Sequence, residues 1–173
     1  MKVTMHAMSV ELFANTLGNL SAILEKAAAN AAQRKFDAGV LLAARLAPDM
    51  LPLTRQVQIA ADIAKNSVAR LAGQEPPRFE DTETTIEQLR ARLARTIDFL
   101  SGVPASALEG SETREVKLPA GERTLQFTGL ELLRRWAIPN VFFHVTTAYA
   151  ILRHNGVELG KTDYLAGALA AKL

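Results

Sequence analysis

The sequence predicts an all-α fold: an antiparallel four-helix bundle with a small β-hairpin before the last long helix. Two observations support the bundle. Four long segments place apolar residues three and four positions apart, which is the spacing of a helix that buries one face. Short links rich in proline, glycine and polar residues separate these segments. A length of 173 residues suits one domain, and we expect residues 1–173 to form it.

The first helix is predicted from a regular apolar seam that ends in an alanine-rich stretch. Ser9 lies before the seam and is a plausible N-cap. The stretch "EKAAANAAQ" favours helix because alanine has the highest intrinsic helix propensity. The seam consists of Val10, Phe13, Leu17, Leu20, Leu24, Ala27 and Ala31.

The second helix follows a connection over residues 36–50 that is expected to hold only a short helical turn. The helix runs from about Leu51 to Leu71, and Pro52 lies in its first turn, where proline is tolerated. Gly73 is the expected C-terminal stop. The apolar face consists of Val57, Ala60, Ala61, Ala64, Val68 and Leu71.

The third helix is predicted from about Thr84 to Ser101, after the polar link "GQEPPRFEDT". Thr84 and Glu87 have the spacing of a capping box. Gly102, followed by Pro104, ends the helix. Its inward face consists of Ile86, Leu89, Leu93, Ile97 and Leu100.

The pattern changes after the third helix. The segment "REVKLPAGERTLQF" alternates over two short runs, which predicts a hairpin with "PAGE" as its turn. A lone hairpin is marginally stable in water, so we expect it to lie against the helices. Trp136 is expected to anchor it from below or to lie at a subunit interface.

The last long helical region begins near Gly129 and ends at Asn155-Gly156, which supplies a left-handed stop. Pro139 lies inside this region and is expected to kink or divide it, because proline removes one backbone donor. The tail "YLAGALAAKL" is expected to dock weakly or fray.

Composition excludes several classes of function. The chain has no cysteine, which rules out disulfides, thiolate zinc sites and a cysteine nucleophile, and suits a reducing cytoplasm. Its 20 basic and 18 acidic residues are interspersed, so we expect no nucleic-acid partner. No segment approaches the ~18 consecutive apolar residues of a membrane span, and the first residues lack the apolar stretch of a signal peptide. Phosphate-loop, dinucleotide-binding and nucleophile-elbow motifs are absent from the sequence.

Three stretches carry a family resemblance that spans nearly the whole chain. "FFHVTTAYAILRHNGVELGKTDYL", "LSAILEKA" and "ARLAPDMLPLTRQVQIAADIAK" resemble the uncharacterised bacterial family DUF1993. That family resembles the DinB/YfiT-like superfamily of four-helix bundles. The resemblance implies a divalent metal such as zinc, nickel or manganese, bound by one histidine of the second helix and an H-x-x-x-H pair of the fourth. It also implies homodimers and, in some members, transfer or isomerisation of thiols.

The ligand positions that the resemblance implies are only partly filled by histidine. His144 falls on the second histidine of the pair and Asn140 on the first, while the second-helix ligand falls near Gln58 or Asp62. A mixed site of His144, Asp62 and water is one alternative, since imidazole and carboxylate together suit several divalent metals. The other interpretation has Asp62 solvated or paired with a neighbouring cation.

The remaining candidates each have a structural and a functional interpretation. His144 lies on an apolar face, so it is either a buried, hydrogen-bonded core histidine or an altered ligand at an inherited pocket. Asn140 either caps the helical segment after Pro139 or lines that pocket. Tyr149 either packs at a helix boundary or supplies a hydroxyl. His154 lies near a helix C-terminus, where a cation interacts favourably with the helix dipole.

These observations predict a cytoplasmic homodimer with a reduced or lost metal site, acting as a small-ligand or partner-binding module. The alternative is a divalent-metal-dependent enzyme, by resemblance a thiol transferase or hydrolase, that uses His144 with a non-standard ligand set. The two differ in whether polar groups of the second and fourth helices converge within about 2–2.3 Å of one point.

Overall fold

The computed structural model describes residues 3–121 and 123–166. Glu122 of the predicted hairpin turn and the tail from residue 167 lie outside these ranges. Within them, no helix combines the length and the hydropathy needed to cross a membrane. The elements are α1 (Leu12–Arg34), α2 (Gly39–Ala43), α3 (Leu53–Leu71), α4 (Ile86–Ser101), β1 (Glu115–Ala120), β2 (Arg123–Thr128), α5 (Gly129–Glu131), α6 (Ile138–His154) and α7 (Lys161–Tyr164).

The four long helices α1, α3, α4 and α6 form the predicted bundle. α3 packs against α4 and α6, and α1 packs against the same two helices. α1 and α3 make little contact with each other, so they occupy opposite corners of the bundle. The predicted apolar faces of α1 and α3 are buried throughout, whereas on α4 Ile97 is only partly buried. The apolar spacing therefore identified the core faces correctly, apart from this one position.

The first helix starts earlier than predicted, and Ser9 is not its cap. A π-helical turn over Ala7–Glu11 precedes α1. Ser9 is buried inside this turn, and its hydroxyl donates to the carbonyl of Met5 at 2.7 Å. Thr4 takes the capping role, since its Oγ1 accepts from the backbone N–H of Ala7 at 3.1 Å. The reason is burial: Met5 belongs to the core and extends the apolar seam toward the N-terminus.

The capping box of α4 is formed one residue later than predicted. Thr85 has an extended backbone, and its Oγ1 accepts from the backbone N–H of Gln88 at 3.2 Å. In return, the Gln88 side chain accepts from the backbone N–H of Thr85 at 3.2 Å. Thr84–Glu87 and Thr85–Gln88 have the same spacing, and the second pair is used because it starts the helix at Ile86, which is buried.

The predicted helix stops and hairpin are present. Gly73 has φ +71° and Gly156 has φ +85°, so both adopt the left-handed conformation that glycine tolerates best. β1 and β2 pair antiparallel, with Ala120 opposite Arg123, so the turn includes Gly121 and is shorter than "PAGE". Pro119 lies in the strand instead.

The hairpin lies against the helices, as expected. Val116 and Leu118 of β1 are buried in the core. The ring of Phe127 on β2 lies 6.4 Å from the ring of Trp136, centroid to centroid. Trp136 therefore contacts the hairpin, one of the two places predicted for it.

Pro139 marks a change of helix type rather than a break. A π-helical turn over Leu132–Ala137 joins α5 to α6, and Pro139 is the second residue of α6. Ala137 and Ile138 already have helical backbone angles, so Pro139 lies inside a continuous helical region and does not divide it. The π-helical turn just before the proline is the irregularity that accompanies its missing backbone donor.

Candidate functional site

His144 forms a buried pair with Gln56 across the contact between α6 and α3. The His144 side chain is buried, and its Nδ1 lies 2.7 Å from Oε1 of Gln56. The Gln56 Nε2 donates to the carbonyl of Leu51 at 2.9 Å, which keeps Oε1 turned toward the ring. Because an amide oxygen only accepts, Nδ1 carries the proton and Nε2 keeps a lone pair in the neutral ring.

Gln56 is the residue that the sequence pattern did not single out. It lies three residues after Leu53 and four before Ala60, inside the buried stripe of α3. A polar side chain at such a position needs a buried partner, and this was the available signal. The predicted candidates Gln58 and Asp62 lie about 200° and 240° further around the helix, facing other neighbours.

Asn140 and Tyr149 each hydrogen-bond to a backbone carbonyl. Asn140 Nδ2 donates to the carbonyl of Trp136 at 3.0 Å, back into the preceding turn. The Tyr149 hydroxyl donates to the carbonyl of Leu159 at 3.4 Å, and its ring meets that of Tyr164 edge-on at 6.1 Å between centroids. These contacts tie α6 to the segments before and after it.

Asp62 belongs to a second polar group, the Arg92 cluster, which consists of Arg92, Asp62, Asp81 and Glu83, and Gln58 is hydrogen-bonded to that cluster. Gln58 is buried, and its Nε2 donates to Oε2 of Glu83 at 2.8 Å. Asp62 lies 2.9 Å from Nη2 of Arg92 and 3.0 Å from Nζ of Lys65. His144 and Asp62 therefore have separate partners, and the mixed site predicted from them is not formed in this structure.

The Arg92 cluster is organised around one buried guanidinium. Arg92 has no exposed side-chain surface, and its Nη2 lies 2.9 Å from Asp62 and 2.9 Å from Asp81. Its Nη1 lies 3.0 Å from Glu83. Burial alone would lower the pKa of Arg92, but the hydrogen bond to Glu83 and the three carboxylates outweigh it and raise that pKa.

The pKa values of the acids Glu83 and Asp81 in the cluster are lowered. Burial alone would raise the pKa of Glu83, but the hydrogen bonds from Gln58 and Arg92 hold it below its ordinary value. Burial acts in the same way on Asp81, where the hydrogen bond from Arg55 and the charge of Arg92 lower the pKa. The acids therefore stay ionised and hold the link between α3 and α4 against the bundle.

The three-histidine metal set that the resemblance implies does not fit these side chains. His144 is the only histidine on the contact between α3 and α6, because His6 pairs with Glu11 at 3.1 Å and His154 is exposed at the end of α6. Across residues 3–121 and 123–166, no three histidine or acidic side chains are grouped to hold a metal ion. The side chain bonded to His144 is an amide, Gln56, and amides are weak ligands for zinc or nickel.

The burial of His144 predicts that the protein becomes less stable as the pH is lowered. Burial lowers the pKa of His144 below its ordinary 6.5, so the unfolded chain binds a proton at a higher pH than the folded chain. The contribution is complete above about pH 6.5 and is lost as pH falls toward the folded pKa. We expect the free energy of unfolding, from urea titrations, to fall more between about pH 7 and about pH 5 in wild type than in His144→Gln. Equal losses in the two proteins would contradict this.

Comparison with known proteins places the chain in a family. The family model described as Domain of unknown function (DUF1993) matches residues 5–165. Among solved structures, the chain is similar to a DinB family member protein from Shewanella denitrificans, with 46% identity and a TM-score of 0.88. The match covers 97% of this chain and 94% of that chain. No curated protein matches. The chain therefore belongs to the DUF1993 family and has the fold of a DinB family protein.

Proposed function

We propose that the chain is a small-ligand or partner-binding module in which the metal site of the superfamily is reduced or lost. One observation supports this most directly: across residues 3–121 and 123–166, no three histidine or acidic side chains are grouped to hold a metal ion, and the side chain that hydrogen-bonds to His144 is an amide, Gln56. Asn140 is bonded to a backbone carbonyl, and Asp62 to Lys65 and Arg92. Each side chain that could complete a ligand set already has another partner.

Metal content tests the proposal. Untagged protein is incubated with excess zinc, nickel or manganese, desalted, and analysed by mass spectrometry beside His144→Ala. We expect well under one metal per chain, at the same level in both proteins. His154→Ala, which removes an exposed histidine, controls for ions held at the surface. Near-stoichiometric metal that is lost only in His144→Ala would refute the proposal.

The alternative is a divalent-metal-dependent enzyme of the thiol transferase or hydrolase type. It is supported by the orientation of His144, whose Nδ1–H is held by Gln56 so that Nε2 keeps its lone pair. Histidines that bind metals usually donate their other ring N–H to an oxygen in this way. The metal measurement decides between the two functions, and a positive result would justify assays with thiol substrates.

We also propose that the protein is a cytoplasmic homodimer. The absence of cysteine suits a reducing compartment. An apolar surface on α6 and the segment before α3 supports self-association: Leu46 is 41% exposed and Phe143 is 58% exposed. Both line a shallow cavity with Phe142, Thr146, Thr147 and Ala150. A patch that contains a large exposed aromatic residue is typical of a protein contact surface.

The dimer proposal predicts the effect of a charge at the centre of this patch. Phe143→Asp should raise the dissociation constant of the dimer at least about tenfold, because a buried phenylalanine contributes about 2 kcal/mol. Sedimentation equilibrium over a range of concentrations would measure the change. Leu130→Asp, at a similarly exposed leucine away from the patch, should leave the dimer intact. A monomeric wild type, or equal effects of both variants, would rule out this surface.

A further inference from the structure

A cavity of about 410 Å³ opens beside the Arg92 cluster, between α4 and the link that precedes it. It lies on the side of α3 that faces α4, away from the His144 pair. Most of its lining is polar or charged, and the lining includes Arg78, Thr82, Gln88, Arg92 and Arg95. The site thus offers a concentration of hydrogen-bond donors.

Arg95 differs from the other cations around this cavity because it has no acidic partner among the residues that the structure describes. It is exposed on α4, at the cavity wall. The other cations are each paired with acids, namely Lys65 with Asp62, Arg55 with Asp81, Arg78 with Glu80, and Arg92 with Asp62, Asp81 and Glu83. One positive charge at the cavity is therefore left over.

The side chain of Arg95 is held in place by an aromatic ring. Its guanidinium lies 3.6 Å from the centroid of the Phe79 ring. This contact uses the face of the guanidinium and leaves its in-plane N–H groups for another partner. A planar fork held in this way suits an oxyanion, which it can bind through two parallel hydrogen bonds.

The charged residues beside Arg95 do not neutralise it. Arg92 has no exposed side-chain surface and is paired with Asp62, Asp81 and Glu83. The two acids that line the cavity do not offset Arg95, because each is already paired. Glu83 is held by Arg92 and Gln58, and Glu80 lies 3.0 Å from Arg78. The positive charge of Arg95 is therefore left without a counter-charge at the cavity.

We propose that this cavity binds a small organic anion whose carboxylate or phosphate group is held by Arg95. Arg78 lies in the same wall but is paired with Glu80, so Arg95 provides the charge that the anion would neutralise. Thr82 and Gln88 contribute a hydroxyl and an amide for polar atoms of the ligand. The inference rests on the proposed small-ligand function, since it gives that function a site and a chemical class of ligand.

Titration with defined anions tests the site. Inorganic phosphate, acetate and citrate are added to ¹⁵N-labelled protein at constant ionic strength, and amide shifts of residues 78–95 are followed. We expect saturable shifts that centre on the cavity for at least one anion. The phosphate and carboxylate arms show which oxyanion is preferred. Arg95→Gln should weaken the affinity at least about tenfold, since a hydrogen bond to a charged group is lost.

Control variants distinguish binding at this site from non-specific binding to positive charge and from any binding at His144. Arg95→Lys keeps the charge but loses the planar fork, so it should still weaken binding. Arg123→Gln removes an exposed arginine from the hairpin and should leave the affinity unchanged. His144→Ala should also bind normally, so metal at His144 and anions at Arg95 are judged separately. No saturable shift with any of the anions, or equal binding by Arg95→Gln, would overturn the inference.

Discussion

Gly129→Ala is expected to lower the free energy of unfolding by about 3 kcal/mol, because the new methyl group has no space. A Cβ at this position would lie 1.9 Å from the carbonyl oxygen of Ser111 and 2.9 Å from Cδ2 of Leu71. The leucine can change rotamer, but the carbonyl belongs to the backbone and can move only with its 3₁₀ turn, Ser111–Thr113. That turn and α5 flank the hairpin, so the strain would spread to the contact between the hairpin and the bundle.

Urea denaturation followed by circular dichroism measures this effect. Gly18→Ala is the matched control, because a Cβ at Gly18 in the middle of α1 would meet nothing within 4 Å. Alanine in a helix interior is favoured over glycine, so the control should gain about 0.5–1 kcal/mol. If both substitutions stabilise the protein, the close approach at Gly129 is wrong.

Arg92→Met is expected to cost about 3 kcal/mol, the lower end of the range for breaking a buried charge pair. The substitution leaves Glu83, which is 8% exposed, without its cation, and removes one partner each of Asp62 and Asp81. The last two acids keep Lys65 and Arg55 as partners and are partly exposed, so water compensates for part of their loss.

Arg90→Met on the same helix is the control for Arg92. Arg90 pairs with Glu25 at 3.1 Å, but both side chains are exposed, so the loss should stay within about 0.5 kcal/mol. Adding Glu83→Gln to Arg92→Met should restore part of the stability, because the uncompensated buried charge is then gone. A double variant that is less stable than Arg92→Met would show that Glu83 does not depend on Arg92.

The sequence predicted those parts of the fold that depend on neighbours along the chain. The apolar spacing of α1 and α3 located the core, and Gly73 and Gly156 marked helix ends because a left-handed residue is needed there. The cap of α4 shows the limit of such local rules. Thr84 and Thr85 satisfy the same pattern, and only the burial of Ile86 in the bundle decides between them.

The candidate site was harder to predict because its partners are distant in sequence. Gln56 and His144 are 88 positions apart, and the choice of Gln56 over Gln58 depends on which face of α3 meets α6. Arg92 lies one residue from the core position Leu93, yet its burial depends on acids supplied by the link before α4. Neither spacing nor composition indicates that a polar link will supply those counter-charges.

The way this link is attached has a consequence for local opening. Residues 74–85 are held to the bundle mainly through Phe79, Asp81 and Glu83, and regular secondary structure is almost absent between α3 and α4. A segment held by a few side-chain contacts can detach without the helices separating. Its amides should therefore exchange with solvent far sooner than those of the helix interiors. Trypsin should cut first at Arg78, whose side chain is 87% exposed, while the bundle remains folded.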